Sequence, residues 1–371
     1  MSLVSNISSW FRPFFTVVGL LLPYAVLAME ELSDKELAEL SGQALFQADY
    51  INGVGPDGVA HNEFAYYRLS IDALVEFNMN IDKLQLGCGG FNEGIKANAC
   101  DIDVDYLRLM GPDGPGSSNP VAGADVTGDP VLSTFSLKRP YVEFAVKNDG
   151  SVNREIVGFR LGSELANGVL SAGSFRNSNS CNSNPDNVAC HTGINTFSGD
   201  LKLRLQGNAS ATVCITPFCF VPIPQNLAID ETTDVRGSRI DEPVLIAKST
   251  VIDLPLLRRA RLTAVLKEDL RFLHNIDLAD TTDFGLSFQR ERVSWPTFSK
   301  TGGFNNGYLY PANTGWWLVA PNSVNISGVS IDAGTLNILQ AGVGLVGTVP
   351  FNNKDIGQRP ADNCWGAAVF C

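Results

Sequence analysis

From residue 45 onward the chain alternates apolar and polar residues with a period of two, the signature of half-buried β-strands. Phe77, Met79 and Ile81 share one face. Ile102, Val104 and Tyr106 alternate with Asp101, Asp103 and Asp105, and Leu201, Leu203 and Leu205 alternate with Lys202, Arg204 and Gln206. In the stretch from 141 to 146, Tyr141, Glu143 and Ala145 oppose Val142, Phe144 and Val146, so that strand is apolar on most of both faces. Residues 261–274 (RLTAVLKEDLRFLH) fit both periods. Leu262, Ala264, Leu266, Leu270 and Phe272 share a strand face with Glu268 as the misfit, while Leu262, Leu266, Leu270 and Leu273 line up on a helix. The length of the alternation and its β surroundings favour a strand.

Turn chemistry punctuates these runs. Gly-Pro-Asp-Gly occurs twice, at 55–58 and 111–114, with Pro preset for a corner and Gly to close it. Loop-rich stretches lie at 111–129 and 174–195, and a further break lies near 299–306. The pattern predicts an all-β fold, mainly antiparallel, an elongated sandwich or roll. Leu-x-Leu runs ending in Gly recur at 80–87, 103–111 and 200–207, but their irregular spacing fits a β-solenoid poorly. A main β domain is expected over 45–298 and a C-terminal β segment over 299–371, ending in a disulfide hairpin.

The N-terminal end has a different character. An apolar run from Phe14 to Tyr24 leads to Val26-Leu27-Ala28, which places small residues at −3 and −1 of a cleavage site. Residues 1–28 read as a signal peptide; the run is too short to span a bilayer core of ~30 Å. Residues 29–44 read as a short amphipathic helix, with Ser33 and Glu36 forming a capping box, Leu32, Leu37 and Leu40 near one face, and Gly42 at its end.

This leader, Leu32-Ser33-Asp34-x-x-Leu37-x-x-Leu40-Ser41-Gly42-Gln43, resembles exported gammaproteobacterial proteins of a Fil-type pilus system. The segments Arg139–Asn148 (RPYVEFAVKN) and Arg154–Gly162 (REIVGFRLG) are similar to the same group. The resemblance covers about a tenth of the chain. It implies export to the Gram-negative envelope and filament association, not a reaction.

Eight cysteines agree with an oxidising compartment. They fall as neighbours: Cys88 with Cys100, Cys181 with Cys190, Cys214 with Cys219, and Cys364 with Cys371. Each pair brackets a short loop, and neighbour pairing into four disulfides is the simplest of the 105 connectivities. No Cys-x-x-Cys occurs, which argues against zinc. The formal charge of −12 makes nucleic acid a poor partner.

Candidate chemistry is sparse. Asp101, Asp103 and Asp105 could share a strand face and hold calcium weakly, although the Gly and Glu of a calcium loop are missing. Trp316 and Trp317 could form a binding platform, of which a strand would expose at most one. His61, His191 and His274 have no metal-ligand spacing, and neither H-E-x-x-H nor G-x-S-x-G occurs. No catalytic residue is assigned and no enzyme is expected. No cofactor is expected beyond that calcium. The sequence points to an exported surface protein, structural or adhesive. Its expected partners are other envelope or filament proteins or further copies of itself, and the mature chain has no transmembrane helix. The alternative is a soluble ligand-binding protein for a glycan or calcium.

Overall fold

A computed structural model describes residues 45–53, 63–111, 121–124, 130–132, 134–214, 222–248, 261–299, 304–337 and 346–363. The chain divides into two compact units, 1–46 and 47–371, and the described residues lie almost wholly in the second. The expected signal peptide and leader helix lie outside the described residues, and both Gly-Pro-Asp-Gly turns do so in whole or part.

Among the described residues the fold is mostly β, as the alternation predicts, and the main sheet has fourteen strands. In chain order these are β1 (Phe46–Ile51), β2 (Phe64–Ile71), β3 (Leu74–Phe77), β4 (Met79–Leu86), β5 (Ile102–Met110), β6 (Phe135–Lys147), β7 (Glu155–Asn167), β8 (Val169–Ser171), β9 (Ile194–Cys214), β10 (Pro222–Ile240), β11 (Asn275–Asp277), β12 (Thr281–Thr282), β13 (Gly285–Gln289) and β14 (Gly315–Asn337). Their order across the sheet is β1-β2-β6-β7-β13-β14-β11-β8-β5-β9-β10, with β3 on β6, β4 on β5 and β12 on β7.

β14 also pairs with β9, in parallel, so β14, β11, β8, β5 and β9 close into a ring. The alternating leucines of β9 supply much of its interior. Leu201, Leu203 and Leu205 are buried against Val324 and Ile326 of β14, Ile102 and Val104 of β5, and Phe272 and Ile276. While β10 flanks the ring on β9, the sheet continues beyond β14 as a fan, β1-β2-β6-β7-β13-β14. Its strands meet the ring at β14, so strands on both sides of the break expected near residue 299 share one sheet.

Two of the four expected disulfides are present among the described residues, Cys88–Cys100 and Cys181–Cys190, and both are neighbour pairs. The other two expected bridges are not among them. Cys214 is the last residue of β9, and its expected mate Cys219 lies outside the described residues. Cys364 and Cys371, the expected terminal hairpin, both lie outside them as well.

The ambiguous stretch resolves at its misfit. Arg261–Lys267 is a strand, antiparallel to Val244–Lys248 and parallel to Val346–Asn352. It stops at Glu268, and Leu270–Phe272 forms a 3-10 turn. Glu268 is fully buried there and accepts from the Lys354 amide at 2.8 Å. Among the described residues no helix is long and apolar enough to cross a membrane.

Candidate functional site

Antiparallel pairing aligns five strands of the fan so that their side chains form continuous rows. One row is Tyr67, Phe144, Phe159, Phe288 and Trp316, taken from β2, β6, β7, β13 and β14. The next row on the same face is Leu69, Val142, Leu161, Leu286 and Leu318. Each strand therefore carries an aromatic and an aliphatic residue two positions apart, which a strand places on one face. Their order reverses from strand to strand, as antiparallel neighbours require.

This double row is not uniformly covered. Leu286, Trp316 and Leu318 pack against the ring's core at the β14 end. Toward β2 the face opens: Leu161 is 46% exposed, Phe144 38%, Tyr67 41% and Leu69 49%. The rings do not lie flat in one plane. Phe159 and Phe288 tilt by 37°, Phe288 and Trp316 by 54°, and Phe159 meets Trp316 edge-on at 5.8 Å. At the open end Tyr50 of β1 joins Tyr67 at 5.1 Å between ring centroids. Both phenols donate to Asp149, at 2.8 and 2.9 Å. Those two hydrogen bonds hold the Asp149 carboxyl below the usual carboxylate range and hold both phenols above theirs.

The reverse face of the same strands is closed and charged. The residues between each aromatic and aliphatic pair are Arg68, Glu143, Arg160, Ser287 and Trp317, all buried. Glu143 lies between two arginines, 3.1 Å from Arg68 Nε and 3.7 Å from Arg160 Nε, and Arg160 also meets Asp283 at 3.3 Å. The Arg68 guanidinium stacks over Phe298 and Tyr141. Trp295, Phe298, Leu309 and Trp317 pack together on this side in a separate apolar cluster. With this face sealed by the cluster, the exposed apolar side chains of these strands lie on the opposite face.

The two tryptophans expected to form a platform therefore divide. Trp317 is core, and Trp316 ends the aromatic row. Asp101 sets the position of Trp316. Its buried carboxylate accepts from the Trp316 amide at 3.0 Å, Asn92 Nδ2 at 2.8 Å and Arg239 Nε at 3.0 Å. Gly87 and Gly315, both at positive φ, line this carboxylate, and a Cβ at either would collide with it. Arg239 further donates to the carbonyls of Gly87, Gly89 and Lys96, closing the loop that the Cys88–Cys100 disulfide staples.

Asp103 and Asp105 come together without Asp101. They share Lys83, at 2.5 and 2.7 Å, and Asn195 Nδ2, at 3.0 and 2.8 Å. Asp101 is instead committed to Arg239, and among the described residues no group of three or more His, Cys, Asp or Glu side chains is placed to hold a metal ion. Sequence reasoning misses the other members of the apolar rows. Their signal is present as the repeated aromatic-x-aliphatic spacing, but it emerges only once the strand register is known.

Comparison with protein-family models, with curated proteins and with solved structures found no match to this chain.

Proposed function

We propose that this is an exported surface protein with a structural or adhesive role, acting through the open half of the apolar face in the Gram-negative envelope or a pilus-like assembly. The observation that carries this reading is the double row from Tyr67 and Leu69 to Trp316 and Leu318, covered at one end and exposed at the other. A contiguous exposed apolar patch is the form of a protein contact surface. The occupant that fits is an apolar strand or loop of a neighbouring envelope or filament protein. The tilted rings suit interdigitating side chains better than the flat face of a sugar, so the glycan alternative has less support. The resemblance of the leader to exported pilus-system proteins points in the same direction, as do the cysteines.

The test combines location with the face. In the native host, antibody to the chain should detect it in sheared surface material, in high-molecular-weight species. Phe144→Asp with Leu161→Asp should leave folding and the Cys88–Cys100 and Cys181–Cys190 disulfides intact, because both side chains are exposed at the open end, yet release the protein from those species. A variant that remains assembled, or a wild-type chain found only as a soluble monomer, would remove this reading.

A further inference from the structure

Among the described residues β1 is the outermost strand of the fan, with β2 on one side. Its sequence, Phe46-Gln47-Ala48-Asp49-Tyr50-Ile51, carries neither Lys nor Pro, and its one charge is Asp49. Phe46, Ala48 and Tyr50 are exposed on one face, while Gln47 and Asp49 are half-buried on the other. The Gln47 carbonyl accepts from the Ser70 hydroxyl of β2, so the backbone groups of Gln47 and Asp49 point into the sheet. By the alternation of an extended strand, those of Phe46, Ala48 and Tyr50 point out of the free edge.

We infer that this edge pairs, antiparallel and about a two-fold axis at Ala48, with β1 of a second copy of this chain. In that register Ala48 faces its own mate. Phe46 faces the partner's Tyr50, and Gln47 faces the partner's Asp49. The residues that point outward are then the ones that exchange hydrogen bonds, six backbone bonds in all from Phe46, Ala48 and Tyr50 of both copies. Two aromatic pairs close the same face that carries the apolar rows, the kind of cross-strand pair that stabilises a sheet. On the other face an amide meets a carboxylate twice. Sliding the register by two residues one way would put Asp49 opposite Asp49, a like-charge contact that a sheet disfavours, and the other way would put Phe46 opposite Ala48 and lose both aromatic pairs. The strand is thus complementary to itself in one register, as an isologous interface requires. This pairing does not depend on where the protein resides or on what occupies the apolar face.

Sedimentation of the purified exported chain should show a reversible monomer–dimer equilibrium. Ala48→Pro removes an outward amide and leaves the bonds to β2, so it should weaken the dimer at least about tenfold with no change in the circular dichroism spectrum. Ala48→Cys should give a disulfide-linked dimer, whereas Gln47→Cys should not, because the two Cα atoms at position 47 would be too far apart. Leu161→Asp, on the apolar face, should leave the dimer intact. A chain that stays monomeric at all concentrations, a dimer indifferent to Ala48→Pro, or equal cross-linking from positions 47 and 48 would overturn the pairing.

Discussion

At the scale of single residues, the chemistry that most shapes the molecule is burial of titratable groups away from the open face. His191 and His274 are both buried, with His191 Nδ1 and His274 Nε2 3.0 Å apart and His274 Nδ1 donating to the Ala172 carbonyl at 2.8 Å. Burial pushes both imidazoles down, His274 from 6.5 to about 4. The folded chain therefore binds fewer protons than the unfolded chain below the ordinary imidazole value. The His274 contribution to stability falls as pH drops from about 6.5 toward 4. Glu268 acts with the opposite sign. Burial pushes it from 4.5 to about 8, so the folded form keeps a proton that the unfolded chain has released. Its contribution is complete below 4.5 and is lost as pH rises through 8. Between about pH 4.5 and 6.5 the two contributions oppose each other, and above that window the Glu268 loss stands alone up to about 8. Urea midpoints should therefore change little across the shared window and fall from about pH 6.5 to 8. Glu268→Gln keeps the acceptor for the Lys354 amide and removes the charge, so it should raise stability at about pH 8, by roughly 4 kcal/mol, and far less at about pH 5. Equal shifts at both pH values would contradict the assignment.

At the scale of elements, two charged arrangements hold strands in place, and neither is visible as a motif. The first is the Arg68–Glu143–Arg160 row that crosses β2, β6 and β7 beneath the apolar face. The second is Arg239, from the end of β10, which reaches the loop between β4 and β5 and clamps it through Asp101 and three carbonyls. Both the Arg239 and Asp101 side chains are almost completely buried, at 0% and 4% exposure. Removing one partner of such a pair leaves a charge stranded in the interior, a loss of about 3–5 kcal/mol. The disulfide beside it, Cys88–Cys100, spans a short loop and stabilises by about 2–3 kcal/mol, chiefly through the unfolded chain. Arg239→Met should therefore destabilise more than the double substitution of Cys88 and Cys100 by Ser, as read from chemical denaturation. It should also perturb Trp316 fluorescence, because Asp101 positions the Trp316 amide. If the disulfide variant proved the weaker protein, the clamp would be secondary.

At the scale of the whole molecule, strand alternation is legible in the sequence and strand partnership is not. Period two over Leu201–Leu205, Ile102–Val104 and Tyr141–Val146 identifies three strands that the structure contains, because alternation reflects local burial. Asp101, Asp103 and Asp105 look like one acidic face because sequence spacing alone cannot show that Arg239 reaches across from 138 residues away. The apolar rows are hidden for the same reason: each is assembled from five strands spread between residues 67 and 318. The partnership also sets where the fold is firm. β9 is paired on both sides for much of its length, with β10 and β14, while β14 is paired along β9 and on its other side only with β13 at Gly315–Val319 and with β11 at Asn325. Their alternate residues Leu203, Leu205, Val324 and Ile326 are almost completely buried. β1 and β3 lie at the margin, with Tyr50 and Leu74 exposed at 55% and 60%. Opening free energies follow burial and pairing, so amide hydrogen exchange should be slowest around Leu203–Leu205 and Val324–Ile326. Exchange in β3 should be among the fastest of the main sheet. β1 is the informative exception, because its outward amides at Ala48 and Tyr50 should exchange freely in dilute protein and slow as concentration rises. Protection at Ala48 that is independent of concentration would mean that its edge is satisfied within a single chain.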